Sequence, residues 1–130
     1  MKQFFSTDWK SSKNRRKQRK YLANAPLHIR AKFIASHLSK ALKEKYNTRS
    51  LRVRKGDKVK ILRGQHKGKI GTIDQVNLKK GKITLESLFT TKRDGSKAFY
   101  PINPSNVLVQ DVNLDDRKRK EKLQKKVTKK

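Results

Sequence analysis

From residue 57 onward, apolar positions recur in short, nearly alternating runs: DKVKIL (57–62), KIGTIDQV (69–76), KITLESL (82–88), KAFYPI (97–102) and NVLVQDV (106–112). A period of two puts one face of a strand inward. Turn signals separate the runs: Gly64 to Gly68, Lys79-Lys80-Gly81, Asp94-Gly95 and Pro101 to Pro104. Five short strands in so small a span predict a small barrel, whose closure also removes exposed edges. The second run breaks the rule, because Ile70, Ile73 and Val76 stand three apart. A bulge near Gly71 would reset the register there.

Before residue 50 the period changes. In APLHIRAKFIASHLSKALKEKYN (25–47), Leu38, Leu42 and Tyr46 are spaced i, i+4, i+8 and form one helical stripe. Pro26 suits a first helical position, Ser39 an N-cap for a second piece over 40–46, and Asn47 a stop. One interrupted helix or two short ones are expected. The stretch KSSKNRRKQRKY (10–21) has too little apolar surface to offset its ordering entropy and reads as a disordered or extended basic arm. DDRKRKEKLQKKVTKK (115–130) has good helix formers, with Asp115 and Asp116 where a helix dipole favours acids. Only Leu114, Leu123 and Val127 are apolar there, so the helix is expected to form against a partner. The chain thus divides into an N-terminal arm (1–24), a helical segment (25–50), a five-stranded barrel (51–112) and a C-terminal helix or tail (113–130). The fold class is mainly β.

Composition narrows the choice of partner. Hydrophobic residues make up 32% of the 130 positions and charged residues 36%, and 37 Lys and Arg against ten acids leave a net charge of +27. Such a chain repels itself unless a polyanion neutralises it. Residues 1–26 hold eight cations against one acid, and residues 113–130 hold nine against three, so charge is densest at the ends. No cysteine is present, which removes disulfides and thiol chemistry. No apolar run reaches the roughly 18 residues of a membrane span, and the N-terminus lacks the apolar stretch of a secretory signal.

Candidate chemistry concentrates at one hairpin tip. Gly64 and Gly68 permit positive φ, and a loop without Cβ atoms also lets backbone N–H groups approach phosphate. Arg63, Lys67 and Lys69 stand beside them, with His66 as a further donor. Other residues placed against nucleic acid are Lys13, Arg15, Arg16, Lys17, Arg19 and Lys20 in the arm, and His28, Arg30, Lys32 and Arg49 in the helical segment. Arg52, Arg54 and Lys55 open the barrel, Lys79, Lys80, Lys92 and Arg93 fill later turns, and Arg117 and Arg119 lie in the tail. Phe33, Tyr46 and Phe99 fall in periodic segments and are expected in the core. Phe4, Phe5, Trp9 and Tyr21 lie in the arm, where they can stack on unpaired bases or dock on a neighbouring protein. The three histidines are too scattered for a metal site, and no nucleophile elbow or paired acids appear. No enzyme, metal or cofactor is expected.

The stretch GDKVKILRGQHKGKIGTIDQVNLKKGKITL (56–85) resembles a KOW motif, with Gly71 as its hallmark glycine. NAPLHIRAK (24–32), LSKALKEKY (38–46), RSLRVRKGD (49–57) and INPSNV (102–107) are similar to the KOW-domain ribosomal protein family of the large subunit, number twenty-four in the universal scheme, in its archaeal and eukaryotic form. Asn103 stands where that family commonly has His, and His37 where Pro is common. The resemblance implies an SH3-like barrel bound to large-subunit ribosomal RNA beside other ribosomal proteins, in the cytoplasm. It also implies a part in early subunit assembly near the exit of the nascent-chain tunnel. A KOW-type transcription factor and a cationic membrane or chromatin protein are the alternatives. The first usually carries a separate α/β domain, and the second needs a wide apolar helix face that the C-terminal segment lacks.

Overall fold

A computed structural model describes residues 5–128. Along the chain run a 3₁₀ turn (Thr7–Ser11), α1 (Arg15–Asn24), α2 (Leu27–Phe33), β1 (Ala35–Leu38), α3 (Lys40–Tyr46), β2 (Ser50–Arg52), β3 (Lys58–Ile61) and β4 (Ile70–Asn77). There follow β5 (Lys82–Leu85), β6 (Phe89–Thr91), β7 (Lys97–Phe99), a 3₁₀ turn (Pro104–Asn106), β8 (Val107–Asp111) and α4 (Arg117–Thr128).

The strands do not make a closed five-stranded barrel. Six form one sheet in the order β2-β1-β8-β3-β4-β5, and β6 and β7 pair apart from it as a hairpin. The difference starts at β1, inside the segment expected to be helical. Ala35–Leu38 alternates half-buried and buried positions, pairs antiparallel with β2 and lies parallel to β8. Buried Ser36 donates its hydroxyl to the Pro104 carbonyl at 2.6 Å, which ties β1 to the turn before β8. Beyond β5 a single bridge, Ile83 to Ile102, continues the pairing. The fold is therefore a mixed helix and strand structure built on a sheet.

The expected bulge exists, three residues later than Gly71. Ile73 pairs with Leu85 and Gln75 with Thr84, so Asp74 is the extra residue. This shift lets both Ile73, fully buried, and Val76 face the core despite their spacing of three. Leu38, Val59, Ile61, Ile73, Ile83, Leu85, Val107 and Val109 form the centre of that core, each 2% exposed or less.

The helices carry caps at the expected residues. Ser39 Oγ accepts from the Leu42 N–H, Asn47 ends α3 at φ +46°, and Pro26 stands as the N-cap of α2, just before its first helical residue. The N-terminal arm, by contrast, is helical rather than extended. Asn14 caps α1 by accepting from the Arg16 N–H at 2.9 Å. Phe5 stacks on Tyr21 at 5.3 Å, and Trp9 packs on the same small cluster of Tyr21, Ala25 and Ile29. Those three aromatics supply the arm with the apolar contact that its polar sequence lacks; Phe4 lies outside the described residues. Phe33 and Phe99 are exposed rather than core, because Phe33 meets Tyr21 edge-on and Phe99 meets Phe89 on the separate hairpin.

Helix α4 closes over the chain's own sheet rather than awaiting a partner. Asp116 caps it, accepting from the Lys118 N–H at 2.8 Å, and Leu123 is buried in the main core. Burial of a leucine side chain contributes about 1.5–3 kcal/mol.

Candidate nucleic-acid interface

The β3–β4 tip is built by its glycines. Gly64 and Gly68 lie at φ +95° and +88°, and a Cβ on either would meet nothing within 4 Å. Backbone angle rather than crowding requires glycine here. The N–H groups of Lys67, Gly68 and Lys69 donate to the carbonyls of Gly64 (3.0 Å), Ile61 (2.9 Å) and His66 (3.2 Å). These three donors close the hairpin and are not available to a ligand. The N–H groups of Gly64, Gln65 and His66 make no such bond, and beside them the side chains of Arg63, Lys67 and Lys69 are exposed and pair with no acid among the described residues. His66 is half-buried and stands edge-on to Tyr100.

From the tip, two clefts that share Asn103 lead toward α1. A first cleft is lined by Arg63, His66, Lys82, Tyr100 and Asn103. Asn103 also lines a second cleft, with Arg30, Lys79, Lys80 and Leu22 of α1. The hairpin tip, the β4–β5 turn and the helical arm therefore share one rim. Asn77 Oδ1 accepts from the Lys80 N–H at 2.9 Å, which tightens that turn and presents Lys79 and Lys80 outward. Helix α1 adds Arg15, Arg16, Lys17, Arg19 and Lys20, all exposed, with Lys13 just before it; His28 and Lys32 of α2 are exposed as well.

Arg30 plays another part. Its guanidinium donates to the carbonyls of Ala25 (2.9 Å), Lys79 (2.6 Å) and Ala23. It pins the α1–α2 corner to the β4–β5 turn and so assembles the rim rather than facing a ligand.

Elsewhere three surface cations have acid partners. Arg54 pairs with Asp116, Lys55 with Asp74 at 3.3 Å and Arg117 with Glu121 at 2.9 Å. Arg119 is not at the surface at all. Only 7% exposed, it grips Asp57, which is 0% exposed, through two bonds of 2.7 Å, and it donates further to the carbonyls of Asn113 (2.9 Å) and Arg52 (3.1 Å). Asp57 also accepts from the N–H groups of Arg54 (2.8 Å) and Asn113 (3.0 Å). The pair clamps α4 to the β2–β3 turn. In the sequence Arg119 is one cation in a run of cations, and nothing local marks it as different.

Arg49, Arg52, Lys92 and Arg93 are exposed but lie away from both clefts' linings. Sequence reasoning missed Tyr100, Lys82 and Asn103, whose nearness to the tip depends on how β3, β5 and the chain after β7 meet. Among the described residues no helix is long and apolar enough to cross a membrane, and no group of acids and histidines could hold a metal ion.

A family model for the eukaryotic L26 ribosomal proteins and their archaeal counterparts matches residues 12–126. The chain belongs to this ribosomal protein family. The large ribosomal subunit protein uL24 of Methanosphaera stadtmanae is 46% identical over 116 residues, covering 89% of this chain and 99% of the relative. The family match runs from just before α1 into α4, so α1 and most of α4 belong to the matched unit as much as the sheet does.

Proposed function

We propose that this chain is a structural constituent of the large ribosomal subunit and binds ribosomal RNA along the rim from the hairpin tip through Lys79 and Lys80 to α1. The observation that carries the proposal is the split of charge. Cations on the rim stand without acids, while Arg54 and Lys55 of the β2–β3 turn and Arg117 and Arg119 of α4 are paired with acids. Folded RNA is met mainly through phosphates, 2′-hydroxyls and shape, which suits a surface of free side-chain cations. The relative's place in the large subunit and its near-full coverage support the same assignment. A role early in subunit assembly, beside the exit of the nascent-chain tunnel, goes with that placement.

Sedimentation of a cell lysate tests it. At low magnesium the chain should travel with the free large subunit and leave it only at high salt. Co-migration with RNA polymerase instead would favour a transcriptional role for the KOW-like stretch.

A further inference from the structure

Between the β3–β4 tip and the segment after β7 lies a cleft of about 210 Å³. Two of its walls are aromatic. The His66 and Tyr100 rings have centroids 5.0 Å apart and planes at 83°. A third side is polar, where Asn103 Oδ1 accepts from Lys82 Nζ at 2.6 Å. The two amide N–H donors of Asn103 bond no other group among the described residues. Arg63 stands at the lip.

A right-angled aromatic corner has a chemical meaning. A flat ring stacked parallel to one wall stands edge-on to the other, and ring quadrupoles favour both arrangements. The polar side then selects among flat rings. A phenylalanine from a protein would turn an apolar edge toward the Asn103 donors and leave Arg63 without a partner. A nucleobase offers ring nitrogen and carbonyl acceptors at its edge, and its phosphate lies within the same nucleotide. Bases in a duplex are not free to enter, whereas those of loops and bulges are.

We infer that this cleft takes the base of one unpaired ribonucleotide, stacked on Tyr100 and edge-on to His66, with its phosphate met by Arg63 and Lys82. The inference rests on the RNA-binding reading above and adds a single-strand site to it.

The test uses the full chain and two probes: a short single-stranded RNA containing 4-thiouridine, and a paired RNA duplex with the same number of phosphates. Tyr100 is 46% exposed, so its replacement should leave the thermal midpoint unchanged. Tyr100→Ala is expected to weaken single-strand binding about 10-fold, in the range found for loss of one base stack. Duplex binding should not change, and Tyr100→Phe should restore the single-strand affinity. Photo-crosslinks from the thiouridine should map to residues 63–66 or 100–103. Equal loss for both probes, no loss for either, or crosslinks confined to α1 would overturn the inference while leaving general RNA binding intact. A wild-type chain that binds neither probe would overturn the RNA reading itself, and this site with it.

Discussion

At Asp57 one carboxylate accepts four hydrogen bonds, two from Arg119 and two from backbone N–H groups. Removing one partner of a buried pair leaves the other uncompensated and costs about 3–5 kcal/mol. Arg119→Met should lower the stability read from urea denaturation by that much, and it should leave RNA affinity unchanged under conditions where the variant is folded. Asp57→Ala should cost at least as much, since it also strands two backbone donors at about 1–3 kcal/mol each. A variant of Arg119 that keeps its stability and loses affinity would put the side chain back on the RNA surface. Two glycines separate strain from crowding. Gly56 lies at φ +85°, and a Cβ there would stand 2.8 Å from Asn113 Nδ2, an amide already fixed by accepting from the Asp115 N–H. Gly68 shares the positive φ but faces open space. Gly68→Ala should therefore cost only the backbone penalty of about 1–2 kcal/mol, and Gly56→Ala clearly more, as read from paired denaturation curves.

Helix α1 is an element held against its own charge. It has no acid in its first turn, and five cations crowd its length where the N-terminal dipole disfavours them. Its support comes from the Asn14 cap and from Tyr21 packed with Phe5 and Trp9. Added RNA should therefore raise the helix signal in circular dichroism, and Tyr21→Ala should abolish the rise while the sheet stays folded. At α4 a pH dependence is expected. Burial pushes the Asp116 carboxyl up, but hydrogen bonds from Arg54, Arg119 and Lys118 outweigh it and hold the group below its ordinary value of 3.8. A depressed acid contributes stability above its unfolded value and loses it as pH falls through the folded one. Docking of α4 should thus persist at neutral pH and weaken below about 3.8, and Asp116→Asn should remove that acid-side change. Elements differ in how far the sequence shows them. The Ser39 cap, the Asn47 stop and the β3–β4 turn rest on local chemistry and were readable. Strand β1 was not: Leu38 fits a helical stripe with Leu42 and Tyr46, and all three do pack on the core. Only pairing with β2 and β8 decides that Ala35–Leu38 is extended.

On the scale of the whole molecule, net charge was plain from composition, and its layout was not. Which cations are free depends on where Asp57, Asp74 and Asp116 come to lie, and that is set by the sheet order and the docking of α4. The site was legible in the same partial way. The tip glycines and their cations stand together in sequence, whereas Tyr100 and Asn103 reach the tip only through tertiary structure. Each phosphate neutralised contributes about −0.7 to −0.9 to the slope of log affinity against log salt. Replacing Arg63, Lys67 and Lys69 together by Gln should flatten that slope by about 2, without moving the denaturation midpoint. Replacing Arg54 and Lys55 by Gln should leave the slope as it is, because those side chains already face acids. A titration at several salt concentrations separates the two sets.

The sheet order has a consequence for a chain that is made from its N-terminus. Strand β8 sits between β1 and β3, so until residues 107–111 exist the sheet is two unconnected pieces, β1 with β2 and β3 with β4 and β5. Arg119 follows Asp57 by 62 positions. The carboxylate in the β2–β3 turn therefore stays without its counter-ion until α4 has been synthesised. A nascent chain thus cannot complete its sheet before β8 has left the ribosome that makes it, nor fill the place beside Asp57 before α4 follows.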